Sequence, residues 1–596
     1  MKIAYKNSAL ERALTGVKAV ASITIVVSFA LRFGFYEPPL PVRFLAAVLL
    51  GMLFIFVGGK LIRFFNAQSK REYLVANWYE IPMLTVLIVT LVGAGRWFGR
   101  TEPPGQIQHW AIALYLIVDV TIKFFMLCVR LAATGKDPSR VLVSTFIVLI
   151  LTGATLLMLP KATPGRASLP FVEALFTSTS ATCVTGLTIK DTGVDFTLMG
   201  QLVILALIQL GGLGIVILGA VLALLLGQAL SVRESAAMQD LLNEGTLGRI
   251  NRMVVFVFAA TAVIELLGAV ALVPMWNAVP GRNLSIHHQW YYSIFHSVSA
   301  FCNAGFSLYG DNLVSYNRCW GVYGVICPLI VLGGLGFGVL YDLGGVVLDR
   351  TLRLCRRSIH RRCPVFREGP RRMWLQTKIV LVVTVCLIVG GMLALFAFEK
   401  LTVPGPAARP FSLLDALFQS ITARTAGFNT VDVGALSDPS KFVLILLMVI
   451  GGSPGGTAGG VKTVTFAVVV MAVVATLRRR DDVEILDRSV SLLIVRRAVT
   501  VAVLYVAALF GATLILCVTE ASHHFTMMQL FFEVASALGT VGLSTGITPT
   551  LTTAGKLIII LVMLTGRLGP LTLLAALAFN VKPARYNYPD EAIVVG

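Results

Sequence analysis

Long apolar stretches alternate with short polar or charged segments along the whole chain. A helix needs about 20 apolar residues to cross a bilayer, and twelve stretches approach that length. They lie at about 13–33, 42–59, 79–96, 109–132, 141–160, 196–227, 251–276, 320–348, 378–398, 440–477, 496–519 and 554–580. Four further segments, beginning near Glu173, 290, Phe411 and Phe525, are too short to cross. The pattern predicts an all-α polytopic membrane protein whose four short segments enter the membrane and return.

The four short segments belong to one pattern that recurs along the chain. Each copy opens with Phe, continues through Ser/Thr-Ala to a glycine, and has a further Gly or Gly-Gly in the next apolar stretch. The first glycines are Gly186, Gly305, Gly427 and Gly542, and the later ones are Gly211-Gly212, Gly333-Gly334, Gly451-Gly452 and Gly566. A recurring pattern indicates copies of one structural unit. Four such loops can close into a ring around a central path.

The repeats set the domain boundaries that we expect. These are N-terminal transmembrane helices at 1–140, pore repeats at 141–235, 236–360, 361–485 and 486–580, and a cytoplasmic tail at 581–596. Residues 1–140 would supply about four peripheral transmembrane helices. Within them, Asp119 and Lys123 are four residues apart with the acid first, so we expect these two side chains to pair on one helix face.

Composition and charge agree with a membrane protein. Hydrophobic residues make up 57% and charged residues 13% of the 596 residues, and the mean hydropathy is +0.84, which excludes a soluble domain. The net charge of +19 comes largely from basic clusters beside the spans, at 350–378, 478–480 and 60–71. Cytoplasmic loops hold such an excess. The topology therefore predicts a multi-pass protein of the inner (plasma) membrane with a cytoplasmic N-terminus, with lipid rather than nucleic acid as its partner.

The four loops carry almost no charge. They contain no Asp or Glu, and Arg424 is their only charged residue. Non-helical backbone at membrane depth is tolerated only within protein or along a water-filled path, and backbone carbonyls can replace the hydration shell of an ion. We expect Arg424 to point behind its loop and support it against Asp415 or Asp432. The alternative is that the glycines are packing sites between helices.

A glycine-rich segment interrupts the last apolar stretch of the third repeat. Its helix-breaking residues are Gly451, Gly452, Pro454, Gly455, Gly456, Gly459 and Gly460. Together they would cost a helix roughly 9 kcal/mol relative to alanine. We expect the span to break here and to supply a flexible gate in the ion path, although a passive kink is the alternative.

At the loops CVTGL, CNAGF, RTAGFNT and TVGLS the sequence resembles the Trk/Ktr/HKT potassium transporter superfamily, in particular the KtrB and TrkH membrane subunits. The resemblance implies four helix, pore-loop, helix repeats in pseudo-fourfold symmetry around one central pore. It implies K+ at Gly186, Gly305, Gly427 and Gly542, and an arginine, here Arg567, that faces the glycine-rich gate. It also implies a homodimer above a cytosolic nucleotide-binding ring of TrkA or KtrA type. The remaining filter residues would be Thr182, Cys183, Val184, Thr185, Cys302, Asn303, Ala304, Thr425, Ala426, Thr540 and Val541.

Other classes of protein find little support in the sequence. The chain has no H-E-x-x-H, Walker or dinucleotide motif, so we expect no enzyme activity and no cofactor bound by this chain. The resemblance implies K+ as the transported ion. The alternative function is an ion-coupled symporter of potassium or sodium, driven by Na+ or H+. Inverted repeats are typical of such transporters, whereas the four repeats here share one orientation. Coupling to Na+ or H+ stays open.

Overall fold

The structure, a computed structural model, describes residues 5–97, 104–134, 138–165, 168–214, 217–218, 220–221, 224, 250–279, 283–359, 372–402 and 411–577. In these residues almost all regular structure is helical, and the strands Val483–Ile485 and Arg488–Val490 form one short antiparallel hairpin. Six of the described helices are long and apolar enough to cross a membrane, or eight if each of two bent helix pairs is one span. The prediction of an all-α polytopic protein is confirmed.

Five helices precede the first repeat. They are Ser8–Phe33, Val42–Asn66, Lys70–Ala76, Glu80–Trp97 and Pro104–Thr134. A buried ionic network connects the second, fourth and fifth of them: Lys60 Nζ lies 2.9 Å from Asp119 Oδ1 and 3.4 Å from Glu80 Oε1, and Lys123 contacts the other oxygen of Asp119. The Asp119–Lys123 pair expected from the sequence is confirmed. It is part of a wider set of charges that compensate one another within an apolar bundle.

Each repeat consists of an incoming helix, a short helix, a loop and an outgoing helix. We call the short helix the pore helix and the loop the filter loop, after the roles that the sequence predicted for them. The incoming helices are Pro138–Leu157, Ile250–Leu272, Leu375–Thr402 and Leu492–Thr519. The pore helices are Phe171–Thr182, Ile286–Phe301, Leu413–Thr422 and Met527–Gly539. The outgoing helices are Leu198–Leu213, then Cys327–Leu335 with Phe337–Ile359, Asp438–Val449 with Thr463–Leu477, and Thr553–Leu568 with Pro570–Leu577. After each filter loop, a segment leads to the outgoing helix. We call the side of the molecule on which these four segments lie the outer side.

All four outgoing helices are interrupted, which the sequence predicted only for the third. Gly214, Gly336 and Gly569 end the other three with φ of 82°, 87° and 84° and ψ of 129°, 145° and 138°. The helix axis then bends by 105° in the second repeat and by 99° in the fourth. Glycine adopts this backbone without strain, and it ends the helical hydrogen-bond ladder.

The spans predicted at 196–227, 320–348 and 554–580 are therefore each broken by a glycine within their length, which the sequence did not predict. Residues 225–227 and 578–580 lie outside the described part of the chain. The signal for the breaks was present in the sequence, because Leu-Gly-Gly-Leu-Gly at 210–214 recurs at 332–336 and as Thr-Gly-Arg-Leu-Gly at 565–569. In each copy the last glycine is the residue with positive φ. A single glycine in an apolar stretch is usually interpreted as a packing site. Only its recurrence at the same position in several repeats indicates a helix break.

Hydrogen bonds from serines fix three of the pore helices to their incoming helices. Ser178 Oγ donates to Ile150 O at 2.7 Å, Ser297 Oγ to Glu265 O at 2.7 Å, and Ser420 Oγ to Ile388 O at 2.8 Å. Three residues beyond each acceptor stands a glycine: Gly153, Gly268 and Gly391. A Cβ on any of them would collide with the serine hydroxyl. The same joint therefore places three filter loops at matching depths.

Candidate functional site

The four filter loops share one backbone shape. Each contains two residues in the left-handed region, the later one being the repeat's glycine. The pairs are Val184 (φ 56°) with Gly186 (90°), Asn303 (59°) with Gly305 (69°), Thr425 (72°) with Gly427 (80°), and Thr540 (51°) with Gly542 (91°). Left-handed backbone is costly for non-glycine residues and persists only where the surroundings enforce it. Four copies of this conformation indicate that the bend of the loop is required.

The enforcing contacts come from the Ser/Thr that precedes Ala in every copy. Its carbonyl accepts an amide from the residue before the glycine, at 2.8 Å from Thr185, 2.7 Å from Ala304, 2.9 Å from Ala426 and 2.8 Å from Val541. Its hydroxyl also binds the loop. Ser180 and Ser536 accept the Gly186 and Gly542 amides at 3.1 Å, and Ser299 and Thr422 donate to the Phe306 and Phe428 carbonyls at 2.8 and 2.6 Å.

The glycines of the four loops contact one another in a closed cycle. Gly186 lies against Ala304, Gly305 against Ala426, Gly427 against Val541, and Gly542 against Thr185. A Cβ on any of the four would come closer than 3.0 Å to a backbone oxygen of the next loop. All four also line one cavity of about 520 Å³ on the outer side. The loops therefore meet around a common space, and glycine is required for their close approach.

The sequence-predicted filter residues fall into three groups by environment. The backbones of Thr185, Ala304, Ala426 and Val541 form the contact cycle with the glycines. The hydroxyls of Thr182, Thr185 and Thr540 are buried and have no hydrogen-bond partner within the described part of the chain. Cys183 and Cys302 are buried free thiols at the C-terminal ends of their pore helices. The side chain of Cys302 turns away from the cycle, toward Gln209 and Glu265.

The third loop differs from the others because it is one residue shorter between Thr422 and Gly427. Arg424 stands in this shortened connection, is 8% exposed, and directs Nη2 to the Gly451 carbonyl at 3.4 Å. The expectation of a carboxylate partner was wrong. Asp415 instead binds the Ser412 backbone and hydroxyl, and Asp432 caps the amide of Gly434. A carbonyl partner leaves no mark in the sequence, which is why this contact was missed.

The glycine-rich segment is a loop whose two ends are hydrogen-bonded to each other, and we call these ends the neck. Gly451 N donates to Val461 O, Val461 N to Val449 O, and Thr463 N to Gly452 O, each at 3.0 Å. Between the two ends lie residues 453–458, which we call the tip, and the tip makes hydrogen bonds to other repeats. Ser453 N donates to Gly334 O at 2.9 Å, Phe337 N to Gly455 O at 3.1 Å, and Thr457 Oγ1 to Phe301 O at 3.3 Å. The tip thus lies under the end of the second pore helix, on the side opposite the outer cavity.

Two cationic side chains bind adjacent carbonyls of this tip. Arg567 Nη1 donates to Thr457 O, and its Nη2 donates to Gly211 O at 2.5 Å and Gly212 O at 3.2 Å. Lys462 Nζ donates to Ala458 O at 2.6 Å. Arg567 therefore connects the fourth repeat, the first repeat and the tip of the third. Lys462 was left without a role by the sequence, and its contact to the tip emerges only from the fold.

The comparisons with known proteins agree among themselves. A sequence model of the TrkH family, described as a cation transport protein, matches residues 112–586. The chain is 38% identical to the Ktr system potassium uptake protein B of Bacillus subtilis, over 77% of this chain and 97% of that protein. It is 34% identical to the potassium/sodium uptake protein NtpJ of Enterococcus hirae, over 77% and 97%. The crystal structure of the potassium transporter TrkH from Vibrio parahaemolyticus has the same fold, with a TM-score of 0.56 at 18% identity, covering 85% of this chain and 97% of that one.

Proposed function

The chain belongs to the TrkH family of cation transport proteins, and from that premise we propose that it is the membrane subunit of a potassium uptake system. K+ would pass by gated, channel-like permeation through the space that the four filter loops enclose. The observation that carries the proposal is the closed contact cycle of Gly186, Gly305, Gly427 and Gly542. It brings backbone from all four repeats to one place, as a carbonyl filter requires.

The chemistry of the cycle favours a weakly hydrated monovalent cation. The loops offer carbonyl and hydroxyl oxygens and no carboxylate, so they can replace water without binding a cation too tightly to release it. The pore helices add partial negative charge at their C-termini. The buried hydroxyls of Thr182, Thr185 and Thr540 are further oxygen ligands whose hydrogen-bonding capacity is otherwise unused. A permeating K+ would give these groups a partner.

The outer cavity would concentrate cations before they enter. Asp191, Asp311 and Asp432 line it, against one lysine, Lys190. Clefts with an excess of one sign of charge raise the local concentration of the opposite ion and its rate of entry. The carboxylates lie beyond the loops rather than within them. Attraction and selection would thus be carried out by different groups.

The glycine-rich loop would be the gate. Its tip lies beneath the loops, where Arg567 and Lys462 bind the carbonyls of Thr457 and Ala458, and Arg424 binds the Gly451 carbonyl at the neck. Three cationic groups near the path also oppose the passage of K+. Withdrawal of the tip would break its hydrogen bonds to the second and fourth repeats while the neck stays closed. Such a loop can move without unfolding its own repeat.

Further partners and location follow from the family premise as proposals. The chain would work in the plasma membrane, with a cytoplasmic N-terminus, as a homodimer on a cytosolic nucleotide-binding ring of TrkA or KtrA type. It carries no Walker or dinucleotide motif of its own. Nucleotide control would therefore enter through the ring, acting on the gate.

Growth of a bacterium without potassium uptake systems tests the proposal. Cells supplied with a KtrA-type ring and expressing the wild-type chain should grow at limiting K+, and Gly305→Ser should abolish that growth. Gly511→Ser is a matched control, because an added Cβ at Gly511 meets nothing within 4 Å. Failure of the wild type with membrane expression verified, or equal growth of Gly305→Ser, would contradict the assignment.

Ion coupling is the second candidate, and the Enterococcus hirae relative named for both potassium and sodium favours keeping it. Purified protein in vesicles distinguishes the two modes. With K+ at equal concentration on both sides and no membrane potential, an imposed Na+ or H+ gradient should drive no net K+ movement if flow is passive. Accumulation of K+ against its gradient would establish coupling.

A further inference from the structure

A carboxylate lies behind the second filter loop, within a membrane-spanning helix. Glu265 belongs to the apolar incoming helix Ile250–Leu272 and has no cationic partner among the residues that the structure describes. Its Oε2 accepts the Gln209 amide at 3.2 Å, and its Oε1 accepts the Cys302 thiol at 3.8 Å. Cys302 Sγ also approaches Gln209 Oε1 at 3.6 Å. An ionisable residue at such depth is costly and is functional by default.

The sister repeats indicate that packing does not require a carboxylate there. The backbone carbonyl of Glu265 accepts the pore-helix serine Ser297, and the same acceptor position is Ile150 in the first repeat and Ile388 in the third. All three positions precede a glycine by three residues. An isoleucine thus serves this joint twice in the same chain. The side chain of Glu265 must therefore have a function that is specific to the second repeat.

The contacts of this side chain lie at the base of the second filter loop. Cys302 is the C-cap of the second pore helix and stands three residues before Gly305. Gly212 packs against its sulfur, where a Cβ would come to 2.8 Å. The carbonyl of Gly212 in turn accepts Arg567. The thiol therefore sits between the filter loop, the first outgoing helix and the arginine that holds the gate.

We propose that Glu265 is a positioning residue for ion selectivity, which acts through Cys302 to fix the base of the second filter loop. The proposal rests on the filter function proposed above. The carboxyl group of Glu265, oriented by Gln209, shares the thiol hydrogen with Gln209 Oε1 and so holds the C-terminal end of the pore helix. Loss of this acceptor lets the Asn303–Gly305 backbone shift, and carbonyls that can shift discriminate less well between K+ and the smaller Na+.

Flux measurements on the full chain in vesicles test the proposal. Glu265→Ile copies the sister repeats, and Cys302→Ala removes the donor. Each should lower the K+ over Na+ flux ratio about fivefold, the effect of one lost hydrogen bond of ordinary strength. The double variant should be no worse than either single one, because both remove the same contact. Cys302→Ser retains a donor and should restore most of the ratio.

Thermal stability separates positioning from folding. An unpaired buried carboxyl group is itself costly, and this cost offsets the hydrogen bonds that are lost with it, so Glu265→Ile should keep a Tm and membrane yield close to those of the wild type. Ile388→Val is a matched control at the equivalent joint and should leave the flux ratio unchanged. An unchanged ratio in both Glu265→Ile and Cys302→Ala, with a selective wild type, would overturn this inference alone. A wild type that does not select K+ would instead overturn the proposed function.

Discussion

The filter loops and the glycine-rich loop are both non-helical, rich in glycine and buried, yet they are held in different ways. Each filter loop is fixed by a hydroxyl and a carbonyl of its own pore helix, within seven residues of sequence. The glycine-rich loop is fixed at its neck by its own repeat, but its tip is held by the second and fourth repeats. Local bonds make the first kind of loop rigid. Under the proposed function, distant bonds would exchange as the repeats shift, and the second kind of loop would be releasable.

We expect the largest effect from distorting one filter loop, which tests whether these loops are rigid. In Gly427→Ala the new Cβ would lie 2.5 Å from Val541 O, at a residue with φ of 80°. Left-handed alanine and an overpacked contact each cost a few kcal/mol, so we expect K+ flux to fall on the order of a hundredfold. Rb+ uptake into vesicles measures it, with Gly511→Ala as control. Flux within twofold of the wild type would show that the loop is not rigid.

Removal of the releasable tip should have the next largest effect, and in the opposite direction. Deletion of residues 453–458 removes the bonds to Gly334 and Phe301 and leaves the neck bonds of Gly451 and Thr463. Several hydrogen bonds that favour closure disappear, so resting K+ leak should rise at least about tenfold. Flux without the regulatory ring measures the leak. Thr457→Ser keeps the hydroxyl and carbonyl and should not leak.

A milder change tests which contact holds the tip. Arg567→Gln removes the charge that binds the carbonyls of Thr457, Gly211 and Gly212. One hydrogen bond to a charged group contributes about 1.5–3 kcal/mol, so the resting leak should rise about tenfold. Arg567→Lys keeps the charge without the planar fork and should leak less. If the Arg567→Gln variant shows no increase in resting leak, closure depends on Lys462 or on the neck instead.

The smallest expected effect sharpens the account of the filter. Ser536→Ala removes the hydroxyl that accepts the Gly542 amide but keeps the backbone bond from Val541. One hydrogen bond is worth about 1 kcal/mol, so the K+ over Na+ flux ratio should fall by roughly fivefold or less. Ser522→Ala, on an exposed loop, is the control. A loss as large as that of Gly427→Ala would mean that the hydroxyl, rather than the backbone, sets the loop.

The sequence was informative where a feature recurred. The four glycines could be found because Phe and Ser/Thr-Ala precede each of them at matching offsets, and the loops also identified the family. Gly214, Gly336 and Gly569 recur as well, but they lie in long apolar stretches, where a glycine equally well indicates close packing between helices. The partners of Arg424, Lys462 and Arg567 are carbonyls. Every residue has a carbonyl, so only the fold selects which one is used.

The cycle of loop contacts has a consequence for how this protein can change. In an assembly of four identical subunits, one altered codon changes four positions at once. Here each loop has its own codons and touches two neighbours of different sequence. A mutation therefore alters a single quadrant and leaves three in their former state. Ion preference can drift in small increments across generations, with intermediates that still work, instead of in one all-or-none jump.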